Sequence, residues 1–422
     1  MTLPRLLLGA EAQPMSFATH CQVHGDPPTV RGLTAAGLHA ELTRAGLRGR
    51  GGGAFPLAAK LAAAGRARRR AVVVVNATEG EPMSVKDRML MESVPHLVLD
   101  GALAVAAALD TGDVIIAVDE AFGEATETLR RALAQRPDLG RRTAQPRIVA
   151  IPEGYVTGQE TAIVNFINAG VPRPVTQPPR LTERGVAKRP TVMSNAETLA
   201  HVALIARHGA EWFRRLGPED EPGSVLVTLS GGVAAPGVFE VEYGSRLGSL
   251  VEAAGGLTEP ARAFLFGGYA GSWVDGRAAR TARLSSAGLA PLRATLGAGI
   301  IVALPESACP VAEVARVAAW MADQSAHQCG PCVNGLGSIA ETLIDVCEGR
   351  GGRDAFGDVR RWSELVVGRG ACAHPDGTAR FVTSALRVFA PEFEDHARRG
   401  LCEACERRPV LIVPGQRTAV RR

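Results

Sequence analysis

The chain has 422 residues, 46% of them hydrophobic and 21% charged, and a net charge of +4. That length allows two or three domains, each burying its own core, and so small a charge excess implies neither a nucleic-acid nor a membrane-surface role. Of the 47 basic residues only Lys60, Lys86 and Lys188 are lysines, and against an arginine-rich background a retained lysine marks a place that wants a compact ammonium.

The first segment, Met1 to Pro14, holds one arginine and a short apolar run, Leu6–Ala10, too short for the apolar region of a signal peptide. No stretch reaches the ~18 uncharged apolar residues of a membrane span. The longest candidate, Leu97–Leu109, contains Asp100 and reads as a buried helix. The expectation is a cytoplasmic protein, in which structural disulfides are rare. Its eight cysteines are then free, metal-bound or redox-active, and the crowding of most of them between Cys329 and Cys405 favours a cluster or metal site.

In chain order, Leu33–Ala45 has helical spacing and runs into the glycine loop Gly46–Gly53, and a second helix is expected over Phe55–Ala64. Ala71–Asn76, with four consecutive valines, reads as a fully buried strand. A helix from Pro95, a strand at Asp113–Val118, a helix after Asp119 and a strand at Arg147–Ile151 continue the alternation, which argues a parallel α/β sheet with its loops at the strand ends. Ser194 or Asn195 caps a further helix carrying Glu197 in its first turn.

The pattern changes at the linker-like Leu216–Gly223. Ser224–Ser230 and Val238–Val241 flank a glycine-rich turn, as in a hairpin. A short helix at Leu247–Ala254 and a strand at Ala263–Phe266 complete a small mixed unit. From Ala308 onward helices are expected at Val311–Ala326, Gly335–Val346 and Thr378–Arg398. The domain boundaries that follow are 1–215, 222–303 and 308–400, with a tail at 401–422.

Two segments carry chemistry in the first domain. In Leu47-Arg48-Gly49-Arg50-Gly51-Gly52-Gly53-Ala54-Phe55-Pro56, glycines let backbone N–H groups approach an anion at the start of a helix, and Arg48, Arg50 and Lys60 add positive charge. No Gly-Lys-Ser/Thr follows, so it is not a Walker loop, and no strand precedes it as the Rossmann fingerprint requires. By itself the segment fits a phosphate cradle or a surface turn equally. Asn76-Ala77-Thr78-Glu79-Gly80-Glu81-Pro82 stands at the carboxyl end of a buried strand, where open α/β sheets bind ligands. Its carboxylates and amide can accept hydrogen bonds from ribose hydroxyls or a flavin ring, although an ordinary strand-to-helix loop looks the same.

These two segments, followed by Lys86-Asp87-Arg88, by Tyr155-Val156-Thr157-Gly158-Gln159-Glu160-Thr161 and by Pro190-Thr191-Val192-Met193-Ser194-Asn195-Ala196-Glu197-Thr198-Leu199, resemble the NADH-binding flavoprotein subunit of complex I and its hydrogenase and formate dehydrogenase relatives. Ser230-Gly231-Gly232 with Pro236-Gly237-Val238-Phe239-Glu240-Val241 resembles that family's ubiquitin-like β-grasp (SLBB) module. The likeness covers roughly residues 40 to 395 in five ordered motifs. It implies an FMN-binding α/β domain, a β-grasp domain and a C-terminal helical iron–sulfur domain. It also implies that Gly49, Arg50, Gly51, Gly52 and Lys60 cradle the FMN phosphate region, and that Asn76, Glu79, Tyr155, Gly158, Glu160 and Asn195, with Glu81, line the flavin and nucleotide cavity. The implied activity is NAD(P)H-dependent: hydride transfer to a flavin, then single-electron exit to a cluster.

The sequence departs from the family in places. Phe55 persists, but the other adenine-stacking positions fall on Ala63 and Arg180, a loss of roughly 1 kcal/mol or more of stacking. Thr78 stands for an aspartate, Gln159 for a glutamate and Ala54 for a glycine. Flavin binding is therefore better supported than NADH binding, and the donor is open between NADH, NADPH and a redox protein.

Gln328-Cys329-Gly330-Pro331-Cys332 is also the thioredoxin tetrapeptide, but a thioredoxin motif follows a strand and begins a helix, whereas this one follows a helix. In the family, Cys329, Cys332 and Cys372 match three of the four ligands of a [4Fe–4S] cluster, and the first position holds Ala326. Cys309 precedes a helix that, at ~1.5 Å per residue, carries it some 25 Å away; Cys347 and Cys402 are similarly remote. His327 is local, and a three-ligand cluster is the other choice. Cys402-x-x-Cys405 fits a separate zinc shared with a partner, or an exposed thiol pair. The leading reading is an electron-transfer flavoprotein in a hetero-oligomer, with a ferredoxin or ferredoxin-like subunit as external carrier. An assembly subunit that has lost nucleotide chemistry and a dithiol oxidoreductase using Cys329 and Cys332 are the alternatives.

Overall fold

Val72–Ala77, the valine-rich run, forms β1 in the middle of a four-stranded parallel sheet. Its companions are β2 (Val114–Asp119), β3 (Arg147–Ile151) and β4 (Thr191–Asn195), in the order β3-β2-β1-β4. β1 pairs parallel with both β2 and β4, and Asn76 is the register partner of Asn195. The structure, a computed structural model, describes residues 3–10, 13–28, 34–139, 146–352 and 354–415. The described chain divides into two compact units. One takes residues up to Gly80 together with Val85–Val227 and Glu240–Gly244, and the other takes Glu81–Ser84, Thr228–Phe239 and everything from Ser245.

β1 is buried on both faces because helices cover both sides, which is why it reads as a continuous apolar run rather than an alternating one. On one side Val72, Val74, Ile115, Ala117 and Met193 pack against Ile163 and Val164 of the helix Glu160–Ala169. The helix Pro95–Ala108 packs closely on the helix Ala196–His208. At their crossing a Cβ on Gly101 would stand 1.8 Å from the Leu199 carbonyl oxygen, so only glycine fits. Asp100, the charge foreseen in this helix, is wholly buried, ion-paired with Arg136 at 2.6 Å and with Arg207, and hydrogen-bonded to His20 Nε2 at 2.7 Å.

The helix expected over Leu33–Ala45 is observed as Ala35–Ala45, capped by Thr34; residue 33 lies outside the described residues. Among the described residues no single helix is long and apolar enough to cross a membrane.

The second sheet has five strands in the order β6-β5-β9-β7-β8. They are β5 (Ser224–Gly231), β6 (Gly237–Glu242), β7 (Ala261–Phe266), β8 (Ser272–Asp275) and β9 (Ile300–Pro305). β5 and β6 are neighbours, as the glycine-rich turn suggested. β9, which the sequence pattern does not announce, lies parallel to β5 and antiparallel to β7.

The helical region contains Pro310–Asp323, Gly337–Cys347, Ala355–Val366, His374–Val388 and Ala390–Arg399. The single helix expected over Thr378–Arg398 is two, because Pro391 has no N–H to continue the ladder and sits in the first turn of a new helix. The helix at Ala355–Val366 was not foreseen. The segment from Cys332 into the next helix forms a π-helical turn, Pro331–Leu336, a local irregularity of the kind common at functional sites.

Candidate functional site

The carboxyl ends of β1 and β4 define the site. Because Asn76 and Asn195 are register partners, the acidic loop after β1 and the cap of the helix Ala196–His208 leave the sheet side by side. Asn195 caps that helix by accepting from the Glu197 N–H at 3.1 Å, and its amide donates to Asp87 Oδ2 at 2.7 Å. Of the two caps foreseen, Asn195 is the one used.

The glycine loop lies over this cap. Gly51 passes so close that an added Cβ would meet Asn195 Cβ at 3.3 Å, and Gly52 has a left-handed φ of 94°. Residues 51–55 are exposed, so the backbone of the loop faces open solvent. Arg50 is different. Its side chain is buried, with Nη2 donating to the Ser224 carbonyl at 3.1 Å, Nη1 to Arg48 O at 2.9 Å, and Nε 3.8 Å from Glu197. It anchors the base of the loop, and its charge is not on the open face.

Lys60, one of the three lysines, extends from the helix Leu57–Gly65 to donate to the Met193 carbonyl at 2.8 Å and to Glu160. This joins the helix after the glycine loop to β4 and to the first turn of the helix Glu160–Ala169. Asn76 donates to the Gly158 carbonyl at 2.9 Å, and its own oxygen accepts from Thr78 Oγ1 at 2.7 Å. A Cβ on Gly158 would approach Thr78 Oγ1 to 2.6 Å, so the two loops close on each other only with glycine there. Tyr155 sits against the same loop, its Cα 3.2 Å from the position of a Gly80 Cβ.

Glu79 and Glu81 part company. Glu79 accepts from the Asp87 and Arg88 N–H groups at 3.1 and 3.0 Å, capping the helix Lys86–Ser93. Glu81 belongs to the other compact unit, where its carboxylate accepts from the Tyr269 N–H at 2.8 Å. Beneath the site, Lys86 is fully buried between Asp87 at 3.0 Å and Glu197 at 2.9 Å. Burial alone would lower its pKa, but Asp87, Glu197 and Glu79 overcome that and raise it, so it stays an ammonium.

Asp119 was missed in the sequence. It ends β2, is 3% exposed, and its Oδ1 has no hydrogen-bond partner among the described residues. Burial, with Glu153 and Glu120 nearby, pushes its carboxyl up to about 6 against a hydrogen bond from the Glu79 backbone. Its place at a strand end beside the acidic loop was the available signal.

In the helical region the Cys332 thiol is buried, and burial together with Cys329 and Cys372 pushes it up to about 12. Ala326 offers no ligand atom. His327 is exposed, with a left-handed φ of 51°. The segment follows the helix Pro310–Asp323 rather than a strand, unlike a thioredoxin motif.

The donor sets suit two groups. Exposed glycine backbone, the Lys60 ammonium and the Asn76 and Asn195 amides offer donors of the kind a phosphorylated ligand takes, and Cys329, Cys332 and Cys372 offer thiols of the kind an iron–sulfur cluster takes.

Comparison with known proteins points the same way. Residues 42–204 match the Nuo51 FMN-binding domain, residues 226–269 the SLBB domain, and residues 312–396 the NADH-ubiquinone oxidoreductase-F iron-sulfur binding region. The chain is 30% identical over 372 residues to an F-type subunit of NADH-quinone oxidoreductase in Rhizobium meliloti, covering 84% of this chain and 87% of the relative. It is 29% identical over 389 residues to the F-type subunit of NADH-quinone oxidoreductase in Escherichia coli, covering 88% and 86% respectively. A crystal structure of an NAD+-reducing [NiFe]-hydrogenase in the H2-reduced state superposes with a TM-score of 0.81 at 25% identity, over 94% of this chain and 67% of that one.

Proposed function

Because the chain belongs to the family of F-type NADH-quinone oxidoreductase subunits, we propose that it is the electron-entry flavoprotein of a hetero-oligomeric oxidoreductase, taking electrons from NAD(P)H or a redox protein and passing them to a ferredoxin-like carrier. The observation that carries this reading is the meeting of the exposed glycine loop, the Lys60 ammonium and the paired Asn76 and Asn195 at the carboxyl ends of β1 and β4. When bound, FMN supplies the exchange between a two-electron hydride and single electrons that the cluster can carry.

The protein's own residues then bind and orient. The backbone of Gly51–Gly53 and the ammonium of Lys60 would receive the phosphate. Glu160 and Met193 O hold that ammonium in place and limit its movement. Asn76 and Asn195 present amides on which the ring and ribityl hydroxyls can register, and Gly158 lets the facing loop close on Thr78. Cys329, Cys332 and Cys372 would hold the [4Fe–4S] cluster, with the fourth position taken by His327 or a ligand from outside the chain. The family reading also supports a cytoplasmic location and three modules at 1–215, 222–303 and 308–400.

The test is to purify the chain anaerobically, reconstitute its cluster, and measure acid-extractable FMN, iron and the visible spectrum together. Flavin bands with a broad iron–sulfur shoulder are expected. Glycine-loop variants that keep full flavin would remove the cradle assignment.

A further inference from the structure

Apart from Cys329, Cys332 and Cys372, four side chains converge in the helical region, with the Cys347 thiol hydrogen-bonded to Cys405 beside them. The ligand atoms of Cys309, His396, Cys402 and Cys405 all lie within 4.8 Å of one another. Cys405 Sγ is 3.4 Å from Cys309 Sγ and 3.6 Å from Cys402 Sγ, and Cys309 Sγ is 3.3 Å from His396 Nε2. A tetrahedral zinc with Zn–S near 2.3 Å and Zn–N near 2.05 Å holds its ligand atoms roughly 3.5–3.8 Å apart. The three close separations fall within a few tenths of an ångström of those values, and the remaining ones are at most 4.8 Å.

The residues come from three places that nothing in the sequence spacing connects. Cys309 caps the helix Pro310–Asp323, His396 lies in the last turn of Ala390–Arg399, and Cys402 and Cys405 bracket a short turn in the tail. His396 Nδ1 is 2.9 Å from the Cys347 carbonyl, which can only accept. That contact fixes the proton on Nδ1 and leaves the Nε2 lone pair facing Cys309, the arrangement seen in metal-bound histidines whose outer nitrogen is held by a carbonyl. Cys309, Cys405 and His396 are at most 8% exposed, and only Cys402 faces solvent.

We propose that Cys309, His396, Cys402 and Cys405 form a structural zinc site that fastens the C-terminal tail to the helical region. Its four protein ligands close the coordination sphere, as in structural rather than catalytic zinc sites. Binding expels the three thiol protons to solvent and involves no electron transfer. The ligand atoms are too close together for an iron–sulfur cube, whose thiolates sit on separate irons. The tail is already directed here: Glu313 accepts from the Val410 and Leu411 N–H groups at 2.7 and 3.0 Å, and Tyr269 donates to the Ile412 carbonyl at 2.6 Å.

The test is elemental analysis of the full-length holoprotein produced with zinc and iron both supplied. About one zinc per chain is expected. Cys309→Ser, Cys405→Ser and His396→Ala should each cut zinc content at least several-fold while leaving iron unchanged, and Cys347→Ser should keep the zinc. Should a variant fail to fold, cobalt substitution of the wild-type protein decides the matter, because a three-sulfur, one-nitrogen tetrahedral site gives intense visible bands with thiolate charge transfer. No zinc in the wild type, a Cys402–Cys405 or Cys309–Cys405 disulfide detected by intact mass, or zinc retained in both cysteine variants would overturn the proposal. Loss of iron in step with zinc, or zinc lost in Cys347→Ser but kept in His396→Ala, would overturn the ligand assignment.

Discussion

Lys86 Nζ lies 2.9 Å from Glu197 Oε2, and neither side chain reaches solvent. The pair ties the helix that follows the acidic loop to the helix that follows β4, so it holds the two loops of the proposed flavin site at a fixed spacing. Asp87, also on Lys86, extends the tie to the Asn195 amide.

The first prediction concerns this buried network. Lys86→Ala leaves Asp87 and Glu197 buried without their main cation, and breaking such a pair costs about 3–5 kcal/mol. Urea unfolding of the purified chain should show that loss. Pairing Lys86→Met with Glu197→Gln should recover part of it, because the second change removes the stranded charge. A single variant as stable as wild type would show that the network is not holding the site.

The second concerns the phosphate cradle. Lys60→Ala and Gly51→Val should each lower FMN occupancy at least several-fold with an unchanged circular dichroism spectrum. Gly51→Val acts by steric contact, since even a Cβ there meets Asn195 at 3.3 Å. Arg50→Ala should behave otherwise and lose stability first, because its guanidinium is buried against Ser224 O and Glu197. Flavin retained in full by both Lys60→Ala and Gly51→Val would move the phosphate elsewhere.

A third prediction is a pH dependence. Asp119 titrates near 3.8 when unfolded but is pushed up to about 6 in the folded chain. The folded state therefore binds this proton more tightly. Its contribution is fully present below about pH 4 and is lost as pH rises through about 6. Asp119→Asn should remove that loss, making the variant more stable than wild type above pH 6 and flattening the curve between 4 and 6. Parallel stability curves for the two proteins would show that Asp119 does not titrate in this window.

The fourth concerns the iron. Cys329→Ser, Cys332→Ser and Cys372→Ser should each reduce iron content after anaerobic reconstitution, while Cys21→Ser should leave it unchanged. Iron held at the wild-type level in Cys372→Ser would remove that residue from the ligand set.

Much of the first unit was legible because its signals are local. The valine run, the strand at 113–118 and the helix from Pro95 carry their burial in their own composition, and these and the strand at 147–151 each appear within two residues of the expected place. β4 was hidden because Thr191–Asn195 is short and half polar, its burial coming from β1 and not from its own pattern. β9 was missed although apolar, since its identity depends on pairing with β5 and β7 at long range. The site was legible where a motif fixed backbone shape, as at Gly51 and Gly158, and less so where side-chain direction decides the role. Arg50 and Glu81 lie in the right motifs, yet one guanidinium turns inward and the other residue's carboxylate serves Tyr269. The Cys309, His396, Cys402 and Cys405 group was least visible, since helix length set Cys309 and Cys402 apart from the cluster cysteines and only the packed helices bring these four together.

The departure at the nucleotide end gives a further expectation. Arg180 is exposed, its backbone N–H bonded to Glu183 at 3.2 Å, and Gln159 replaces a family carboxylate. An arginine near a ribose accommodates a 2′-phosphate. Any nicotinamide activity should therefore favour NADH over NADPH by little, and steady-state rates with the two donors should differ by less than about tenfold. NADPH inert beside rapid NADH turnover would contradict this.

The most direct test of the electron-entry role is anaerobic stopped-flow reduction of the reconstituted holoprotein, following flavin and iron–sulfur absorbance together. With NADH or NADPH as donor, the flavin band should bleach first and the iron–sulfur shoulder should follow in the same turnover, with both amplitudes cut at least several-fold in Lys60→Ala; a reduced ferredoxin should also reduce both groups. A protein that stays colourless after reconstitution, or whose flavin bleaches while the cluster remains oxidised with every donor, would contradict it.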